Sequence, residues 1–176
     1  MNTTHPPTLI RLSLLVIFLA LSPAASLHAQ DAPKGNANEI HELAQVSAEL
    51  PHDVLLGFMN NAGKQAAAAK GTDALRQKVE GRMATLKFKV DRIEKDDRHG
   101  QDEPYRIKAE DAHVRQGAVG FKAYLWVHFN ISENAKVAAL KKGDEVSATG
   151  KVTVASVSAS NAGPAMNVDL SDATLK

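Results

Sequence analysis

The chain has 176 residues and no cysteine, and its 21 lysines and arginines against 20 aspartates and glutamates give a formal net charge of +1. Without cysteine it can form neither a disulfide nor a thiolate metal site, so its fold must depend on a packed core. The balanced charge does not call for a nucleic acid or an anionic membrane as partner, because nonspecific binding to either is mainly electrostatic.

The N-terminus has the pattern of a secretory signal peptide. Residues 1–30 carry one arginine, Arg11, followed by an apolar run from Leu12 to Leu21 and then by small residues. The run is about half as long as a membrane span. We therefore expect removal of residues 1–30 and a periplasmic or secreted protein that is not integral to the membrane. An uncleaved anchor is the alternative.

Residues 31–80 predict short helices with few apolar side chains. Pro51 ends the first, an alanine-rich stretch favours helix, and Gly71 is expected to stop it. The expected helices lie within Glu39–Leu50, Val54–Met59 and Ala62–Lys70 and from Thr72 or Asp73 to Glu80. This segment is not expected to fold alone, so it needs an apolar surface to cover.

From Gly81 onward apolar residues recur at every second position, which is the period of a β-strand. In the stretch FKAYLWVHF, from Phe121 to Phe129, one row is apolar and the other carries Tyr124 and the only tryptophan, Trp126. Five strands are predicted, with a short helix around Val137 between the third and fourth. They cover residues 84–90, 105–114, 121–129, 145–154 and 166–175.

This order of elements predicts a small closed barrel. Five strands in a row would leave two open edges, and closure removes them. We predict a mainly β fold, a five-stranded OB-like Greek-key barrel with a helix between strands three and four, preceded by short N-terminal α-helices. The predicted boundaries are a signal peptide in 1–30, a helical segment in 31–80 and the barrel domain in 81–176. Gly150, in the inward row of the fourth strand, marks an expected bend.

Two phrases near the C-terminus carry a family resemblance. One comprises Lys142-Gly143-Asp144, Val146 and Gly150-Lys151-Val152, and the other comprises Val168, Leu170, Asp172-Ala173 and Leu175. They resemble the end of secreted bacterial OB-fold proteins of the tRNA-anticodon-like (tRNA_anti-like) group. Gly81–Val90 is similar to the first strand of that group but lacks its second glycine. The resemblance implies an OB fold and brings no catalytic residues.

The polar row of FKAYLWVHF is the leading candidate for a binding site. OB barrels bind ligands across strands two and three, where aromatic rings can stack on bases or sugars and basic side chains can follow phosphates. Burial of the two rings under the N-terminal helices is the alternative, and a protein-binding surface is another. The predicted ligand-binding residues are Tyr124, Trp126, Arg106, Lys108, Lys122, His128, Lys87 and Lys89.

No motif for catalysis or for a metal stands out. The loop EKDDRHGQDE could offer oxygens to calcium, but its spacing is not that of an EF-hand, and a solvated turn is expected. The histidines show no zinc spacing, and no serine lies in GxSxG or SxxK. We expect no enzyme activity, no metal and no cofactor. The loop's candidate groups are Asp96, Asp97, His99, Asp102 and Glu103.

The sequence therefore favours a noncatalytic periplasmic OB-fold binding module. Its ligand would be an oligosaccharide, an oligonucleotide or an envelope protein, and the sequence does not choose among them. The alternative is a structural or stress-related envelope protein that acts through protein–protein contacts. An enzyme would need the acidic loop and His99 to supply its chemistry. The oligomeric state is left open.

Overall fold

The computed structural model describes residues 38–95 and 104–176. The predicted signal peptide in residues 1–30 lies outside the described residues. So do the candidate groups of the acidic loop, which are Asp96, Asp97, His99, Asp102 and Glu103. Within the two described ranges, every helix is too short or too polar to cross a membrane.

Within the described residues, three helices precede the strands and a fourth interrupts them. The first three are α1 (Leu43–Ala48), α2 (His52–Met59) and α3 (Lys64–Lys78). A 3-10 turn (Ile131–Glu133) and α4 (Asn134–Ala139) lie between the fourth and fifth strands. The strands are β1 (Met83–Lys95), β2 (Tyr105–Ala109), β3 (Ala112–Gln116), β4 (Val119–Phe129), β5 (Glu145–Ser160) and β6 (Gly163–Leu175).

The strands close on one another in the order β1-β2-β4-β6-β5, and β5 returns to β1. Every pairing in this ring is antiparallel except that of β4 with β6, which is parallel. With a helix before β5, this is the five-stranded Greek-key order of the OB fold. The predicted mainly β, OB-like barrel with short N-terminal helices is confirmed.

The sixth strand arises because the predicted second strand is broken once. Lys108 pairs with Trp126 and Ala112 with Ala123, so the β2–β3 side holds one more residue than β4 between these pairs. The extra residue makes a bulge at Glu110 and Asp111, which bends the strand and changes where side chains point. Strands β2 and β3 together are therefore the single strand expected from the sequence.

The barrel interior is built from the apolar row of β4 and its counterparts on the other strands. Phe121, Leu125 and Val127 are almost fully buried. At Gly150 the register of β5 with β6 shifts, and a Cβ there would lie 2.9 Å from the carbonyl oxygen of Ser171. The pairing is thus irregular at the glycine where a bend is expected, and the close approach of the two strands excludes a side chain.

The N-terminal helices pack on inward-facing side chains and on the edge of β5. Phe58 of α2 meets Phe121 edge-on, with 5.5 Å between ring centroids. Ile40, before α1, forms a parallel bridge with Ala84 of β1. The helices and the barrel belong to one compact unit. The outward side of β4 keeps Tyr124 and Trp126 half-buried rather than covered.

The predicted helix break at Gly71 is wrong. Helix α3 runs without interruption from Lys64 to Lys78. A Cβ at Gly71 would lie 2.7 Å from Val157 Cγ2 and 3.0 Å from Val54 Cγ1. Glycine is used here because α3 lies close against β5 and α2, and helical packing outweighs its weak helix propensity.

Candidate ligand-binding site

Two aromatic rings stand side by side on the outward side of β4. Tyr124 and Trp126 are two residues apart on one strand, so their Cα atoms are about 6.7 Å apart. Both are half-buried, while the intervening Leu125 points into the core. The alternation of FKAYLWVHF thus produces an inward apolar face and an outward polar face, as expected. We call the surface around the outward row the aromatic face. This face comprises Tyr124, Trp126 and the charged side chains around them, described next.

Two arginines from neighbouring strands lie against the ring of Trp126. The guanidinium of Arg106 on β2 is 4.8 Å from the ring centroid, and that of Arg92 on β1 is 5.2 Å from it. Glu94 ties both arginines together. Its Oε2 accepts hydrogen bonds from Arg106 Nε (3.0 Å) and Nη2 (2.7 Å), and its Oε1 lies 2.8 Å from Arg92 Nε. We call Arg92, Glu94 and Arg106 the arginine clamp.

Two lysines flank Tyr124 in the same way. Lys122 Nζ is 5.1 Å from the ring centroid, and Lys108 Nζ is 5.8 Å from it. Asp111 at the bulge links them, with contacts of 2.8 Å to Lys122 and 2.9 Å to Lys108. Lys108 also reaches Asp91 at 3.4 Å, and Asp91 pairs with Lys142 at 2.8 Å. A chain of alternating charges therefore crosses the barrel from the loop before β5 to β4.

The ion pairs lower the pKa values of the aspartates in this row of charges and raise those of the lysines, so both move away from neutral pH. The hydrogen bond from Lys122, then that from Lys108, lowers the pKa of Asp111. Lys142, and secondarily Lys108, lowers the pKa of Asp91. Asp111 in turn raises the pKa of both Lys108 and Lys122. All these groups touch solvent, so each pair is individually weak, but the charges persist across a wide pH range.

Counted over the described residues, the aromatic face carries paired charges and little net charge. Five cations and three carboxylates make up the clamp and the lysine chain. Two further carboxylates stand beside them. Asp169 is opposite Trp126 in β6, with Oδ2 3.9 Å from His128 Nε2, and Glu110 acts electrostatically on Lys142. The result is a surface that offers hydrogen-bond donors and acceptors in similar numbers around two rings.

The structure brings six of the eight predicted binding residues together. The two rings, Tyr124 and Trp126, lie next to Arg106, Lys108 and Lys122. His128 lies at the end of the row with only 9% of its surface exposed. His128 therefore faces a neighbour, Asp169, more than solvent.

The other two predicted residues, Lys87 and Lys89, lie farther from the rings along β1, where the Lys89 carbonyl accepts a hydrogen bond from the Glu110 N–H at 2.8 Å. They belong to the half of β1 that pairs with β5, opposite Ser147 and Glu145. The sequence-based prediction ended β1 at Val90, whereas the strand continues to Lys95 after a bulge. The residues beside Lys108 and Arg106 are consequently Arg92 and Glu94, and the expectation that Lys87 and Lys89 would neighbour them is corrected.

Sequence reasoning also missed most of the ion-pair partners. The continuing alternation after Val90, in DRIEK, is the signal that would have extended β1 and exposed Arg92 and Glu94 as neighbours of the rings. Lys142 could not have been found in this way, because it reaches Asp91 across the fold from a separate loop. Among the described residues, no group of three or more His, Asp or Glu side chains is arranged to hold a metal ion.

No family model and no curated protein matches the sequence. Among solved structures, the chain is similar to a small single-stranded DNA-binding protein from Streptomyces coelicolor. The two are 16% identical, the match covers 52% of this chain and 88% of that chain, and the TM-score is 0.33. The assignment of the OB fold comes from the strand order and pairing given above.

Proposed function

We propose that the protein is a noncatalytic binding module that holds a short oligosaccharide on the aromatic face. One observation carries this proposal: two half-exposed rings about 6.7 Å apart are surrounded by charges that are already paired. A sugar ring has apolar faces that can lie on an aromatic ring. Its hydroxyls both donate and accept, as does this surface. OB barrels bind oligosaccharides as well as oligonucleotides on this side.

The ion pairs leave hydrogen-bonding capacity for such a ligand. A guanidinium has five N–H groups, and Arg106 donates two of them to Glu94. The remaining N–H groups and the free lone pairs of Glu94 and Asp111 can meet hydroxyls. Because the pairs also hold the long side chains in place, less rotamer entropy is lost on binding than with free side chains.

A single-stranded oligonucleotide is the second candidate, and the two rings themselves favour it. Stacking of a base on an aromatic ring contributes about 1–3 kcal/mol, whatever the base. The clamp and the lysine chain have two more cations than carboxylates. Two phosphate contacts would give a slope of log K against log salt of about −1.4, and the nearby Asp169 and Glu110 would make it shallower.

A noncatalytic role fits the state of the carboxylates. Lysines lower the pKa of Asp91 and of Asp111, so both carboxylates stay ionised near neutral pH and neither can act as a general acid there. Export to the periplasm is part of the proposal and is supported by the pattern of residues 1–30. Kinship with the secreted tRNA-anticodon-like group is supported by the two C-terminal phrases around Gly143 and Leu170.

Calorimetric titration of the protein lacking residues 1–30 tests the proposal. The panel contains neutral oligosaccharides derived from cellulose, xylan, mannan and chitin, and oligothymidylate. We expect one sugar series to bind with an affinity that salt hardly changes and that Tyr124→Ala and Trp126→Ala each reduce. Lys151→Ala, on the exposed part of β5 paired with β1, is the control and should have no effect.

The other outcomes separate the alternatives. Binding of oligothymidylate alone, weakening with salt, would replace the sugar by the nucleic acid. Sugar binding that survives both aromatic substitutions would move the site away from this face. If neither class of ligand binds, the proposal is wrong, and binding of an envelope protein becomes the hypothesis to test.

A further inference from the structure

Arg115 on β3 differs from the other arginines that the structure describes. Arg76 pairs with Asp73, Arg82 with Glu49, and Arg92 and Arg106 with Glu94. Within residues 38–95 and 104–176, Arg115 alone among the arginines has no carboxylate at ion-pair distance. It is exposed to solvent, so its guanidinium is available to a ligand.

The position opposite Arg115 has no side chain. Arg115 pairs with Gly120 across the β3–β4 hairpin, so the two residues share one face of the sheet. A Cβ built on Gly120 would meet no atom within 4 Å. A glycine within a strand gives up packing, and it allows another molecule to approach the backbone closely. Arg115 and Gly120 thus form an open position on the outward side of the β3–β4 hairpin, which we call the Arg115–Gly120 notch.

The notch is continuous with the aromatic face. Lys122 lies two residues after Gly120 on the same side of β4, and it is paired with His113 of β3. Its Nζ contacts Asp111 and stands 5.1 Å from the ring centroid of Tyr124. Gly120, Lys122, Tyr124 and Trp126 therefore succeed one another along β4 at intervals of about 6.7 Å. A ligand lying on the rings would reach the notch at its end.

We propose that the Arg115–Gly120 notch is a subsite for a carboxylate carried by the ligand, so that the ligand is an acidic oligosaccharide. Its uncharged sugars would lie on Tyr124 and Trp126, where the surface charges are paired, and its acidic sugar would lie at the cationic end. The planar fork of an arginine matches a carboxylate with two parallel hydrogen bonds. This inference rests on the proposed function, since it extends the same face.

Nitrogen-15 NMR titration with sodium glucuronate and with glucose, at constant ionic strength, tests the subsite. Both sugars should shift the Trp126 indole signal. Only glucuronate should also shift the Gly120 amide and the Arg115 Nε–H. These shifts report a separate binding event, because one sugar ring does not span the about 20 Å from Trp126 to Gly120. Sodium acetate serves as the probe for the carboxylate alone, and a shift at Gly120 equal to that from glucuronate would mean that the notch binds anions without recognising a sugar.

Two variants with different chemistry keep the test independent of folding. Arg115→Ala should weaken glucuronate binding by roughly fivefold, as expected for one exposed charge pair, and leave glucose binding unchanged. Gly120→Leu fills the notch without meeting any protein atom at its Cβ, so it should fold and also weaken only glucuronate. Arg76→Ala, an exposed arginine on α3, is the matched control.

Failure of the subsite and failure of the proposed function give different spectra. If both sugars shift Trp126 equally and neither variant alters glucuronate binding, the carboxylate subsite is wrong while the sugar-binding face stands. If glucuronate shifts Gly120 but neither sugar shifts Trp126, the notch binds anions and the oligosaccharide function is wrong. If neither sugar shifts any signal on β3 or β4, both are overturned.

Discussion

Arg106 bonds to Glu94 and lies over Trp126 at the same time, with its guanidinium 2.7 Å from the carboxylate and 4.8 Å from the centre of the ring. Glu94 therefore sets where the cations stand relative to the only tryptophan. Glu94→Gln keeps the shape of the side chain but removes the charge that holds the arginine clamp together. We expect quenching of Trp126 fluorescence by iodide to rise relative to quenching by acrylamide, because the negative charge beside the ring is lost.

Glu145→Gln provides the control for that measurement, since Glu145 is exposed on β5 and opposite Lys89 rather than beside the rings. It should leave the ratio of the two quenching constants at the wild-type value. An unchanged ratio in Glu94→Gln would show that Glu94 does not set the charge beside the Trp126 ring.

The lysine chain makes stability depend on pH only at the extremes. The pKa of Asp111 is lowered below the ordinary value of 3.8, so the stabilisation that it provides is complete above that pH and is lost as the pH falls through the lowered pKa. The pKa of Lys108 is raised above 10.5, so its contribution is complete below that pH and is lost above the raised value. Between these limits the contribution is constant.

Asp111→Asn tests the acidic limit. Urea unfolding should show that the variant is less stable than the wild type at pH 6 and that the difference shrinks as the pH falls below 3.8. Asp73→Asn, which removes an exposed pair with Arg76 on α3, should differ less from the wild type at pH 6. A difference for Asp111→Asn that stays constant down to acid pH would mean that its effect is not electrostatic.

The fold could be predicted from the sequence because the spacing of apolar residues along the chain indicates each strand and helix. The alternation in β4 and the helix around Val137 fix the order of elements, and Gly150 marks the bend. Closure then follows from the need to avoid open edges. What could not be predicted was register. The bulges near Val90 and at Glu110 depend on contacts between strands, and they decide which charges stand beside Trp126.

The same limit explains the error at Gly71. A glycine that ends a helix and a glycine that allows a helix to pack closely look alike in a single sequence. The distinction lies in Val157 and Val54, which come from other elements and are brought to Gly71 only by the fold. Prediction from sequence thus succeeded for what neighbouring residues determine and failed where distant residues meet.

Helix α3 covers the free edge of β5, and Thr72 makes two hydrogen bonds to that edge. Thr72 Oγ1 accepts a hydrogen bond from the Val157 N–H at 3.1 Å and donates one to the Val157 carbonyl at 2.9 Å. Thr72→Val keeps the volume and leaves both backbone groups without this partner. We expect the free energy of unfolding to fall by about 1–3 kcal/mol.

Hydrogen exchange supplies the specific readout for this variant. The Val157 amide should exchange faster in Thr72→Val than in the wild type. Thr153→Val removes a longer bond, 3.4 Å to the Asp169 carbonyl at an exposed position, and should change stability much less. Equal effects of the two substitutions would show that α3 does not serve as the cover of this edge.

Gly71→Val tests whether α3 must lie this close to the barrel. A Cβ at this position would lie 2.7 Å from Val157 Cγ2, 3.0 Å from Val54 Cγ1 and 3.3 Å from Leu50 Cδ2. The clash should cost more than the few tenths of a kcal/mol that valine gains over glycine in a helix, so the free energy of unfolding should fall by about 2 kcal/mol. Chemical denaturation measures it. Ala69→Val, exposed on the same helix, should lose only a few tenths of a kcal/mol from propensity. If the two variants are equally stable, α3 can move away from β5 at little cost, and the edge of β5 is then open to a partner strand.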